Sequence, residues 1–249
     1  METITSRKNP MIRHLRLLAS DGAYRREQGE YICDGVKTLR EALRFGAKVR
    51  SVLWKERAED VELPESTEQV LLPADLFDYV CPLKNSPGPL FTVEIRVCGK
   101  PGKLENAIVL ENVQDPGNVG TVIRTANAFG IGAVILTGDC ADLYHPKTVR
   151  ATMGAIFRQN VLEIDTAYLK DFLKGQGLPL YAAALDERAK DVRQVSLRRA
   201  AVAVGSEGQG LSKAFLALCD ETIIIPMNPD SESLNAAVAA SVLMWEASR

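Results

Sequence analysis

From residue 107 to the end, short apolar runs alternate with stretches of helical period. The runs fall at 107–110, 133–136, 161–164, 180–184, 201–204 and 222–225, and the helical patterns at 119–129, 167–174, 212–218 and 234–247. Apolar runs of this length suit strands covered on both faces, and the helices between them are the crossovers that parallel neighbours need. The sequence therefore predicts an α/β unit built on a parallel sheet. In such sheets ligands sit beyond the carboxyl ends of the strands, so chemistry is expected in the loops that follow the apolar runs.

The first hundred residues read differently. Ile12, Leu15, Leu17 and Leu18 recur at helical spacing among the basic residues Arg7, Lys8, Arg13 and Arg16. A second amphipathic helix covers 34–44, with Val36, Leu39, Ala42 and Leu43 on one face and Gly46 stopping it. Residues 48–54 and 70–72 suit strands, and 74–79 a short helix, which together make a small α/β unit. The segments 81–89 and 96–103 are too rich in Pro, Gly and charge for either element. A boundary near residues 97–104 divides the 249 residues into an amino-terminal domain, 1–98, and a larger one, 99–249.

Charge follows the same division. Thirty Lys and Arg against 32 Asp and Glu give a net charge of -2, which alone makes no case for a polyanionic partner. Residues 1–57, however, hold 13 Lys and Arg but 7 Asp and Glu, a surplus of +6, leaving -8 for the remainder. The five cysteines, Cys33, Cys81, Cys98, Cys140 and Cys219, form no Cys-x-x-Cys pair, so neither a disulfide framework nor a thiolate zinc site is indicated, and they are expected as buried thiols. The polar start METITSRKNP lacks a signal-peptide apolar region, and a cytoplasmic location is expected. The longest apolar run, 234–245, falls short of the roughly 20 residues of a membrane span. His14 and His145 have no metal spacing, so no metal is expected, and His145 reads as a surface or ligand-proximal residue rather than a catalyst.

Three loops carry the motifs. In the first, 111–124, Pro116, Gly117, Asn118 and Gly120 crowd a strand-to-helix turn in which Asn118 suits the helix N-cap. The second, 204–212, has three glycines, Gly205, Gly208 and Gly210, that let a ligand approach the backbone. Leu211 stands where a P-loop needs lysine, and the glycine order is wrong for the dinucleotide motif, so ATP and NAD are disfavoured. Glu207 in this loop would repel a phosphate and suits a neutral or cationic ligand. In the third loop, 225–235, Ser231 or Ser233 suits the cap of the last helix, while Asn235 on that apolar helix calls for a buried partner.

The strings NVQDPGNVGTVIRTANAFG, VGSEGQGLS and IPMNPDSESLNAAVAAS resemble, in order and spacing, the three signature motifs of the SpoU (TrmH-like) RNA ribose 2′-O-methyltransferases of the SPOUT class. The resemblance covers 104–249, and the stretch 146–155 fits it as well. The amino-terminal segment GEYICDGVKTLREAL is similar to the substrate-binding domain of rRNA-modifying members.

This resemblance implies a catalytic domain whose parallel sheet ends in a deep trefoil knot, beside a small α/β RNA-binding domain. It implies S-adenosylmethionine as cofactor and a homodimer with the site completed near the interface. Gly205, Gly208, Gly210, Ile225, Met227 and Leu234 match cofactor-binding positions, and Asn118, Arg124, Glu207, Ser233 and Asn235 match the catalytic set. Arg124 suits the phosphate next to the target ribose; whether it also takes the ribose proton stays open, because a guanidinium holds its own proton tightly. Arg7, Lys8, Arg13, Arg16, Arg25, Arg26 and Arg150 are expected to meet RNA. The function implied is methylation of a ribose 2′-hydroxyl in structured RNA, with 23S rRNA as the substrate. The alternatives are a tRNA 2′-O-methyltransferase and a non-catalytic RNA-binding protein of the same fold.

Overall fold

A computed structural model describes residues 1–96, 101–186, 188–228, 230 and 233–249. In order, the chain forms β1 (Glu2–Thr3), α1 (Pro10–Ser20), α2 (Gly22–Gln28), β2 (Glu30–Asp34), α3 (Val36–Arg44), β3 (Val49–Lys55), β4 (Glu68–Leu72), α4 (Ala74–Val80) and β5 (Leu90–Glu94). It continues with β6 (Ala107–Glu111), α5 (Pro116–Ala128), β7 (Ala133–Thr137), α6 (Pro146–Ala151), β8 (Val161–Glu163), α7 (Thr166–Gln176), β9 (Leu180–Ala183), β10 (Lys190–Asp191), β11 (Ala201–Val204), α8 (Lys213–Leu216), β12 (Glu221–Ile224) and α9 (Ala236–Ala247).

The elements fall into two units, Met1–Val97 with Asp142–Phe157, and Cys98–Ala141 with Arg158–Arg249. The expected boundary at 97–104 lies partly on residues 97–100, outside the described residues, as does Ser231. One segment departs from the expected division: residues 142–157 belong to the first unit, not the second. The reason is packing, because Val149 and Phe157 share a core with Tyr31, Cys33, Leu39 and Trp54.

In the first unit the sheet order is β1-β4-β3-β5-β2, with β3 and β4 parallel and β5 antiparallel to both β3 and β2. Its strands alternate, but both faces are apolar. On β3, Leu53 joins Ile12, Leu15, Phe77 and Leu90 on one side, while Val52 and Trp54 join Leu39 and Phe91 on the other. α1 starts with Asn9, whose Oδ1 accepts the Met11 N–H at 2.8 Å, and buries Ile12, Leu15 and Leu18 completely.

The second unit carries the expected parallel sheet, in the order β10-β12-β9-β11-β6-β7-β8, and every recorded strand pairing in it is parallel. Ala107, Val109, Ala133, Ile135, Leu180, Ala203 and Phe215 are buried in its core. The chain builds β6, β7 and β8 outward in one direction and then returns to place β11 on the other flank of β6. The sheet reverses direction there, and the loops after β6 and β11 emerge side by side at the switch point.

Candidate functional site

The first motif loop ends in a cap that differs from the expected one. Asp115, not Asn118, is the N-cap of α5: its Oδ1 accepts the Asn118 N–H at 2.8 Å, and Pro116 occupies the first turn, where a missing N–H costs nothing. Capping by Asp115 frees the Asn118 side chain. Asn118 Nδ2 donates to Glu207 Oε1, joining the first loop to the glycine loop.

The glycine loop folds tightly on itself. Gly210 N–H donates to Ser206 O at 2.8 Å, and Gly210 sits at φ +65°. A Cβ on buried Gly205 would lie 2.1 Å from the Gly210 carbonyl carbon, so this position admits no side chain. At Gly208 and Gly210 a Cβ would meet nothing within 4 Å, which leaves that stretch of backbone bare. Below the loop, Glu111 is buried at the end of β6. Its Oε2 accepts Ser212 N–H at 2.8 Å and its Oε1 accepts Ser212 Oγ–H at 2.6 Å, while Ser212 Oγ in turn accepts Phe215 N–H at 3.1 Å. The sequence reading missed Glu111. Its signal was a carboxylate closing an apolar strand, a placement that requires a partner.

The third loop returns to the same place. Asn235 is the N-cap of α9, its Oδ1 accepting Ala237 N–H at 2.9 Å and Val238 N–H at 3.2 Å. It displaces Ser233 from that role. Its Nδ2 donates to Glu207 Oε1 at 2.9 Å and to Asn118 Oδ1 at 3.2 Å, so the partner expected for this amide is present although Asn235 itself is exposed. Asn118, Glu207 and Asn235 thus close a hydrogen-bonded ring, one member from each motif.

Arg124 and Ser233 stand outside this ring. Arg124 is exposed on α5, six residues or about 9 Å of helix rise beyond Asn118, and no ion pair engages it among the described residues. Ser233 is exposed, and Ile225, Met227 and Leu234 are half-buried along the third loop. A cluster of three or more His, Cys, Asp or Glu able to hold a metal ion is absent among the described residues, as is a helix long and apolar enough to cross a membrane.

The cysteines are free: Cys33 is buried, while Cys81, Cys140 and Cys219 are half-buried; Cys98 lies outside the described residues. Burial pushes the Cys140 thiol up and the Cys219 thiol up to about 12, so neither supplies a thiolate near neutral pH.

The basic residues separate into exposed and structural ones. Arg7, Lys8, Arg13, Arg16, Arg26 and Arg150 are exposed. Arg25 is not: at 2% exposure it pairs with Asp142 through Nη2 and donates from Nη1 to Leu18 O at 2.6 Å. This corrects its expected role, since a guanidinium buried in the fold and already paired with a carboxylate is closed to a phosphate. His145 caps α6, its Nδ1 accepting Lys147 N–H at 3.2 Å, and burial together with the Arg25 charge holds it below its ordinary value. Arg150 faces Asp34, whose carboxyl burial pushes up against the lowering effects of a Ser86 hydrogen bond and the Arg150 charge.

Relatives share the whole of this architecture. A 23S rRNA (guanosine(2553)-2′-O)-methyltransferase of Bacillus subtilis is 30% identical over 98% of this chain and 98% of its own length. A 23S rRNA (uridine(2479)-2′-O)-methyltransferase of Streptomyces viridochromogenes is 28% identical over 99% of this chain and 91% of its own. Among solved structures, an AdoMet-bound rRNA methyltransferase from Sinorhizobium meliloti superposes with a TM-score of 0.86 at 25% identity, covering 99% of this chain and 97% of that one. The profile of the SpoU rRNA Methylase family matches residues 105–245, a span that carries all three motif loops, and the chain belongs to that family.

Proposed function

We propose that this protein is an S-adenosylmethionine-dependent methyltransferase that modifies a ribose 2′-hydroxyl of 23S ribosomal RNA. The observation that carries this reading is the closed ring of Asn118, Glu207 and Asn235, which ties the three motif loops together at the switch point of a parallel sheet. Relatives that align along their whole length, both units included, carry names that specify 23S rRNA and ribose 2′-O-methylation.

The residues present fit the cofactor. A loop without lysine, carrying a carboxylate and two glycines whose backbone is bare, suits a sulfonium compound better than a nucleotide phosphate. Gly205, Gly208 and Gly210 would hold it through main-chain groups, with Ile225, Met227 and Leu234 as apolar walls. When bound, S-adenosylmethionine supplies an electrophilic methyl group.

The chain's own residues orient the acceptor. Arg124, exposed and without an ion pair among the described residues, anchors the phosphate beside the target ribose and so fixes the 2′-oxygen in line. Asn118 and Asn235 hold Glu207 in one position, and Ser233 offers a hydroxyl at the same loop end. Arg7, Lys8, Arg13, Arg16, Arg26 and Arg150 contribute phosphate contacts from the first unit, which serves as the RNA-binding domain; the second is the knotted catalytic domain. Val238, Val242 and Trp245, 49%, 37% and 55% exposed at helical spacing on α9, supply an apolar stripe for a homodimer. The protein works in the cytoplasm, where ribosomal RNA is.

Ribosomal RNA prepared from cells lacking the gene, incubated with protein and tritiated S-adenosylmethionine, is expected to gain label in the large-subunit RNA at one ribose. Label in tRNA alone, or on a base, overturns the proposal.

A further inference from the structure

The first unit holds an open cleft of about 710 Å3 that the methyl-transfer site does not use. Arg7, Lys8, Arg13 and Arg16 line it together with Tyr79 and Pro82. No carboxylate among the described residues lines it, and Asp78, beside Tyr79 on α4, is engaged by Lys55 Nζ at 2.7 Å. Four cations therefore share one concave surface, and none of them has an acidic partner among the described residues.

Their geometry is more specific than a solvated basic face. The guanidinium carbons of Arg7 and Arg16 lie 4.4 and 4.5 Å from the Tyr79 ring centroid, and Arg16 Nη1 donates to the Tyr79 hydroxyl. Tyr79 is 36% exposed. Planar guanidinium groups gathered at an aromatic ring form a flat, cationic platform, while Lys8 and Arg13 keep their charges free for anions. The volume lies within the range of roughly 300–1,000 Å3 that encloses small ligands.

We propose that this cleft receives one unpaired nucleotide of the RNA substrate, its phosphates held by Lys8 and Arg13 and its base stacked on the platform of Tyr79 and Arg16. This rests on the RNA reading above and adds the recognised form: a looped or single-stranded nucleotide, not a duplex. Bases in a helix are stacked on each other and cannot reach such a platform, whereas unpaired ones can.

The full-length protein is tested by fluorescence anisotropy with a labelled oligouridine strand, the same strand paired into a duplex, and vesicles of phosphatidylserine. The wild type is expected to prefer the single strand. Tyr79→Ala should weaken that binding about tenfold, and Tyr79→Phe, which keeps the ring, by less than about twofold. Arg13→Gln, exposed and outside the tyrosine cluster, should lower the slope of log affinity against log salt by about 0.7 for a single lost phosphate contact. Equal binding by wild type and Tyr79→Ala, equal loss on the duplex, or binding to vesicles without RNA overturns the proposal. Methyl transfer to ribosomal RNA is measured in parallel. Transfer by Tyr79→Ala at unchanged KM for RNA sinks the cleft and leaves the methyltransferase reading standing, whereas no transfer by the wild type sinks that reading itself.

Discussion

Asn235 donates to Glu207 at 2.9 Å while the oxygen of the same amide begins α9 by accepting two backbone N–H groups. One side chain thus anchors a helix with one atom and positions a carboxylate with another. Asn235→Asp separates the two roles, because aspartate caps as well as asparagine but sets a second carboxylate against Glu207. Melting temperature is expected to stay within about 2 °C of wild type, and S-adenosylmethionine affinity and methyl transfer to fall at least about tenfold for roughly 1.4 kcal/mol of repulsion. Calorimetry with the cofactor and a tritium assay report the two quantities separately.

Arg124 touches none of the ring. Arg124→Ala should therefore abolish methyl transfer and leave cofactor affinity within about twofold, as expected of an interaction made only with RNA. Arg124→Lys should recover little, since an ammonium cannot grip a phosphate in two places. Turnover near wild type in either variant would remove Arg124 from the mechanism.

Gly205→Ala places a methyl group 2.1 Å from the Gly210 carbonyl carbon, a contact that flexible side chains cannot relieve. The loop must open, and binding of S-adenosylmethionine is expected to disappear by titration. An Ala variant that binds normally would show that the closed loop is not the cofactor cradle. At Gly208, where a Cβ meets nothing, the same change should be milder unless the cofactor lies against that backbone.

Arg25→Met tests the reassignment of that arginine. Its partner Asp142 keeps 19% side-chain exposure, so the cost of stranding it is expected near the lower end for buried pairs, about 3 kcal/mol, or roughly 6–12 °C in melting temperature. RNA affinity at a temperature where the variant is folded should match wild type. A weakened RNA complex with unchanged stability would restore Arg25 to the interface.

Acid should act through Glu30. Burial raises its carboxyl, but hydrogen bonds from His14 and Thr92 and the charges of His14 and Arg50 together outweigh that, leaving it below 4.5. A carboxylate depressed on folding stabilises above its unfolded value and loses that contribution as pH falls through the folded one. Glu30→Gln should thus be less stable than wild type at neutral pH, with the gap narrowing below about pH 4.5 in urea titrations. A gap that is constant with pH would mean that Glu30 acts by shape alone.

The parallel sheet was legible because its strands are uninterrupted apolar runs spaced by helical patterns: 201–204 was placed to the residue, and β6 and β7 within one. β2 and β5 were missed for the opposite reason. Tyr31, Ile32 and Cys33 are apolar on both faces of a mixed sheet, so no alternation marks the strand, and its apolar run is only three residues long. Motif residues were found through loop position and resemblance, but their roles moved: the caps fell to Asp115 and Asn235, because a cap depends on backbone dihedrals that residue type does not fix. Arg25 looked like its basic neighbours until its partner appeared 117 residues away, a separation that local reasoning cannot bridge.

The first unit borrows residues 142–157 from the far side of β7. During synthesis, then, its core around Tyr31 and Trp54 stays unfinished until α6 and Phe157 leave the ribosome, by which time β6, α5 and β7 have already emerged. Neither unit is a cassette. A fragment ending at residue 97 would expose the apolar face that Val149 and Phe157 cover, and grafting the amino-terminal unit onto another methylase would require moving two pieces of chain together.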